Sequence, residues 1–195
     1  MDLLLQVWGG GFYLSNKILL AIAEGRPQKS KRLLRLAGWS IYVLGVPAWV
    51  IILISKQNWI AASIEVGGVP SMLLGIFNVY ARDEASSKVF DTIALGVTYV
   101  SLALGVSYSI YGHGGINTVT QLLEIGVMVG FLLGSYFLAK NLSFGWLFFM
   151  LMNGSMAILM FIQGKPILTI QQLFSLCFVI YGFIVAIKTK KALTN

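Results

Sequence analysis

Charge is what this chain has least of: 11% of its 195 residues are charged, against 57% that are hydrophobic. A water-soluble domain carries charged groups at about 25%, so a soluble fold is excluded. The mean hydropathy of +0.83 puts the chain in a bilayer instead. A single cysteine, Cys177, stands in an apolar run, which rules out an intrachain disulfide. The one histidine, His113, falls in the turn Gly112-His113-Gly114-Gly115. No nucleophile, base and metal-ligand cluster can be assembled around it, so the chain reads as no enzyme. No lysine occurs from Leu168 to Ile187, which excludes a retinal-binding photoreceptor.

What the sequence has in abundance is long apolar runs. Stretches of about 20 residues, enough to cross ~30 Å of hydrocarbon, fall near 3–23, 36–54, 59–80, 90–111, 118–139, 144–162 and 167–187. Seven transmembrane helices are therefore expected. The first is the weakest, because Gln6, Gly9-Gly10-Gly11, Asn16 and Lys17 lie inside it and need protein or water around them. Lys17 is close enough to the inner boundary to snorkel. Asp2 in place of a basic leader, and no small-residue cleavage site, predict that this helix stays in the mature protein.

Seven spans also sort the positive charges. Arg26, Lys29, Lys31, Arg32 and Arg35, then Arg82 and Lys88, Lys140, and finally Lys188, Lys190 and Lys191 all fall on one side. Only Lys56 and Lys165 fall on the other. The expectation is a multi-pass protein of a bacterial-type inner (plasma) membrane, N-terminus outside and C-terminus cytoplasmic. The net charge of +7 then signals topology, and its division among short loops argues against nucleic-acid binding.

An internal repeat organises the chain. A shift of 107 residues, without a gap, superposes Gly38-Trp39 on Gly145-Trp146, Leu44 on Leu151, Ile51 on Ile158, Ile60 on Ile167 and Gly75 on Gly182. Glu65 falls opposite Gln172. The expected fold is all-α: a first three-helix repeat over 1–81, a linker helix over 82–115, and a second repeat with a basic tail over 116–195. An odd linker gives both repeats the same orientation, about an axis along the membrane normal, with a substrate path between them near the midplane. Pro47 and Pro70 predict kinks in the second and third helices that the other repeat lacks.

Few polar groups are available to line that path. Glu65, Glu124 and Gln172 are each roughly 8 to 9 Å below the outer boundary, and form one expected layer. Asn153 lies about halfway through the sixth helix, and Trp39, Trp49, Trp146, Phe149 and Tyr181 are candidate walls. Carboxylates beside aromatic faces suit a small organic cation. Trp39 and Trp146 equally fit headgroup anchors at the cytoplasmic interface. The spacing of Gly126 and Gly130 permits close packing within the bundle or in a homo-oligomer.

The run Trp146 to Gln172, with Asn153 seven residues after the tryptophan and Gln163-Gly164 ten after the asparagine, resembles the second repeat of the PnuC family of vitamin transporters. In the first repeat Gln57, Trp59 and Ala61 lead to Glu65, and Gly75 matches a family glycine. The family's Trp-X-X-Trp signature appears as Trp146-Leu147-Phe148-Phe149. The layout is also that of the SWEET sugar transporters. The resemblance implies facilitated diffusion of an unphosphorylated vitamin such as nicotinamide riboside or thiamine, a cytoplasmic kinase that draws it onward, and no cofactor. In that reading Asn153, Gln163 and Gln172 supply hydrogen bonds, Trp146, Phe149 and Tyr181 stacking, and Glu65 charge. Gln57, Glu124 and Trp49 complete the candidate site. The alternative is a proton-coupled transporter or ion-conducting pore using Glu65 and Glu124.

Overall fold

A computed structural model describes residues 2–81, 88–112 and 114–194; Arg82 and His113 lie outside the described residues. Among the described residues there are seven helices and no strand: α1 (Asp2–Glu24), α2 (Gln28–Ser55), α3 (Trp59–Tyr80), α4 (Lys88–Gly112), α5 (Val119–Ala139), α6 (Phe144–Ile162) and α7 (Pro166–Thr194). Six of them, α2 to α7, are long and apolar enough to cross a membrane. The chain is a multi-pass membrane protein. Helix α1 has the length but not the apolarity, and it lodges against both α2 and α7 with Asn16 and Lys17 turned inward.

Two boundaries differ from the expectation. Helix α2 starts at Gln28, eight residues before the expected 36, and α7 runs to Thr194 rather than 187. Both extensions carry basic residues, because a helix satisfies its own backbone and does not stop where hydrocarbon ends. Pro27, with φ −56°, sets up the entry to α2. Helices α2 and α3 run unbroken through Pro47 and Pro70.

Three helices end in the same way. After α2, α5 and α6 the chain turns through a left-handed residue, Gln57 (φ 58°), Asn141 (φ 62°) and Gly164 (φ 67°). In each case paired backbone bonds close the turn, as in Asn58 N–H to Leu53 O at 2.9 Å and Lys165 N–H to Met160 O at 2.9 Å. Asn58 and Thr118 then cap the starts of α3 and α5, their side-chain oxygens accepting from the N–H groups of Ala61 and Gln121.

The helices close a ring in the order α1, α2, α3, α5, α6, α7 and back to α1, while α4 packs outside it on α3 and α5. Polar bonds staple one end. Arg32 donates to Val79 O and Tyr80 O, Asn78 to Ala139 O, and the buried Arg35 to Leu138 O and Asn141 Oδ1. Lys31 pairs with Glu24, and Lys140 with Asp91. Two open hollows, of 520 and 250 Å³, lie at this basic end.

Candidate functional site

The middle of the ring is filled by side chains that reach across it. Among the described residues the backbone of α2 packs on α1 and α3 only, yet the Tyr42 ring lies 6.1 Å from Phe131 of α5 and 6.3 Å from Phe149 of α6, both edge to face. On its own side Tyr42 packs edge-on to Tyr13 at 4.9 Å and stacks with Trp39 at 6.1 Å. Edge-to-face pairs at these separations contribute about 0.5–1.5 kcal/mol each beyond their buried area.

Lys17 occupies the centre of this aromatic cluster. It is 1% exposed, and its Nζ is 3.4 Å from the Phe149 ring centroid and 4.1 Å from that of Tyr42. Nζ also donates to Asn16 Oδ1 at 3.2 Å, while Asn16 Nδ2 donates to Gly38 O at 3.0 Å. A bare ammonium in hydrocarbon is costly, and two ring faces replace part of the hydration it gives up. The expectation that Lys17 snorkels to the boundary is therefore corrected. Tyr13, Asn16 and Lys17 follow the i, i+3, i+4 spacing of one helix face, and α2 and α6 offer that face a better partner than lipid.

Glu65 completes the cluster from α3. Tyr13 donates its hydroxyl hydrogen to the Glu65 carboxylate, and among the described residues Lys17 makes no direct ion pair with it. Asn153, at the midpoint of α6 and 1% exposed, donates to Phe149 O at 2.7 Å. Its Oδ1 is buried with no hydrogen-bond partner among the described residues, as are the indole N–H groups of Trp39, Trp49 and Trp146.

The remaining candidates are distributed unevenly. Trp49 is half-buried, 6.1 Å from Tyr13 and over Gly9. Trp39 and Trp146 are buried, at 0% and 1% exposure, so they are not headgroup anchors; a glycine on the next helix lets each indole turn inward. Glu124 is exposed on α5 and does not share the inward setting of Glu65. Gln172 is half-buried and Tyr181 is exposed. Gln57 and Gln163 lie exposed at the turns after α2 and α6, where they accept from Trp59 Nε1 (3.4 Å) and Lys165 Nζ (2.7 Å).

Sequence reasoning passed over Tyr13, Tyr42 and Phe131, and over Gln171, the neighbour of the glutamine it chose. Gln171 donates to Gly10 O at 2.9 Å and ties α7 to α1. One residue turns a helix by about 100°, so Gln171 and Gln172 face different surroundings. The signal was the Gly9-Gly10-Gly11 run, whose missing side chain at Gly10 admits the glutamine to the backbone. Among the described residues no group of acidic, histidine or cysteine side chains could hold a metal.

Compared with family models, curated proteins and solved structures, the chain matches none.

Proposed function

We propose that the chain is a membrane facilitator for a small unphosphorylated B-vitamin-like molecule of the nicotinamide riboside or thiamine class, bound near the midplane between two three-helix units. One observation carries the reading: Lys17, Glu65 and Tyr13 gather with the rings of Tyr42 and Phe149 inside the ring of helices, and Asn153 is buried one turn beyond Phe149 on α6. Polar groups at membrane depth are expensive, and they collect where a solute passes.

The two units are α1 to α3 and α5 to α7, with α4 as linker. Tyr42 and Phe149, separated by the same 107 residues as the repeat, touch each other, as equivalent residues do when a two-fold axis runs between them. Trp39 meets Gly75 as Trp146 meets Gly182, and the left-handed turns at Gln57 and Gly164 keep the same offset. The resemblance of Trp146 to Gln172 to the PnuC family supports the substrate class. In this reading the N-terminus is outside, the basic end is cytoplasmic, and a vitamin kinase there draws the substrate onward.

The test is a thermal-shift screen of purified protein against nicotinamide riboside, thiamine, riboflavin and their phosphates, followed by uptake of any hit into proteoliposomes. An unphosphorylated vitamin that raises the melting temperature and is taken up supports the reading. No shift with any vitamin sinks it. A second reading, a proton-coupled transporter or ion path, is favoured by the Tyr13, Glu65 and Lys17 cluster. It requires current or proton flux across vesicles without any vitamin.

A further inference from the structure

We propose that the Tyr42 and Phe149 rings, with the Tyr13–Glu65 pair beside Tyr42, form a binding site for one small organic cation, and that Lys17 is its tethered occupant. An arriving ammonium- or pyridinium-bearing substrate must displace the lysine. The word substrate rests on the transport reading above; the cage and its occupant stand on the contacts alone.

The way Lys17 is held argues for displacement. A buried ammonium with a carboxylate in range ordinarily takes it as a direct partner, since the attraction grows in a low dielectric. Here the Glu65 carboxylate is turned to the Tyr13 hydroxyl, and Nζ rests on two π faces and one amide oxygen. Ring faces hold a cation without a directional bond, so one ammonium can replace another there. The four-carbon stem of lysine is flexible enough to withdraw.

The two halves bring different polar groups to this site. Leu20 against Gly38 corresponds to Leu138 against Gly145, and the same register of α1 on α5 sets Tyr13 opposite Phe131 and Lys17 opposite Ser135. Both halves therefore supply rings, from Tyr42 and Phe149, while one supplies an ammonium and the other a hydroxyl. Likewise Glu65 stands where the second half has Gln172. The cage is near-symmetric and its polar groups are not: one lysine and one carboxyl stand opposite a hydroxyl and an amide.

Chemical rescue tests this. Lys17→Ala removes the propylammonium part of the side chain, so n-propylammonium chloride should raise the melting temperature of the folded variant by about 3 °C, saturably. The wild type, in which the tethered lysine competes for the site, should shift less and only at higher propylammonium concentration. Phe149→Leu in the Lys17→Ala background should abolish the shift. A monodisperse Lys17→Ala or Lys17→Ser protein that does not respond, or a wild type that responds equally, overturns the proposal. Should neither variant fold, the wild type decides it: N-methylpyridinium must speed acetylation of Lys17 severalfold, and an unchanged rate overturns the proposal. Failure of every vitamin in the screen together with a propylammonium rescue sinks the transport reading and leaves the cage; the converse leaves transport and removes the cage.

Discussion

Trp39 of α2 lies against Gly75 of α3 so closely that a Cβ on the glycine would stand 2.5 Å from Trp39 Cε2. In the second half a Cβ on Gly182 would stand 2.8 Å from Trp146 Cη2. The two contacts differ in which part of the indole is met. At Gly75 it is the five-membered ring and its fusion bond, near the stem; at Gly182 it is the far edge of the six-membered ring, which moves more easily.

Gly75→Ala is therefore expected to destabilise the protein by about 1–3 kcal/mol, the cost of overpacking, and Gly182→Ala by less. Thermal denaturation in one detergent checks the order. Equal losses would show that both indoles are equally fixed.

Gln57 adopts φ 58° at the turn after α2, where the matching turn after α6 has Gly164 at φ 67°. A side chain in the left-handed region costs about 1–2 kcal/mol. Gln57→Gly should raise the melting temperature and leave uptake unchanged, because the Gln57 side chain is exposed and accepts a hydrogen bond from Trp59 at the turn. Lost uptake would return Gln57 to the substrate path.

Tyr13 and Glu65 should behave as a coupled pair. Tyr13→Phe leaves a carboxylate without its donor, whereas Glu65→Gln keeps a side-chain oxygen that can accept from the tyrosine. The first should cost about 1–3 kcal/mol and the second less. A double-mutant cycle should give a coupling above about 0.5 kcal/mol, and additivity would deny the bond.

Arg35 joins α2 to the end of α5, donating to Leu138 O at 2.8 Å and to Asn141. Its replacement by Leu strands the buried Leu138 carbonyl and should cost about 1–3 kcal/mol. By contrast Asp91→Asn breaks a half-exposed pair with Lys140 and should cost less than about 1 kcal/mol. Parallel melting curves rank the two.

Asn153→Leu separates stability from transport. The amide donates within its own helix and its Oδ1 is buried without a partner among the described residues, so an apolar replacement of similar size should not destabilise the protein. Uptake should be abolished. Retained uptake would remove Asn153 from the site.

The positions of the helices and the membrane class were legible in the amino-acid order alone, because the length of an apolar run and the thickness of hydrocarbon are both one-dimensional quantities. Six of the seven expected runs meet the criteria for crossing a membrane, and the weakness of the first was visible in its glycines, Asn16 and Lys17. The tertiary structure alone decided which way each polar side chain faces. In helices apolar all round, mean hydropathy does not distinguish the lipid side from the bundle side, and a rotation of one residue separates Gln171 from Gln172. Thus Tyr181 and Glu124, plausible by type, are exposed, while Lys17, assigned to the boundary, is buried against Phe149. The sequence determined that a few charges enter the membrane; the ring of six helices, with α4 left outside, determined that Lys17 and Asn153 are buried within it and that Glu65, half-buried, meets Tyr13.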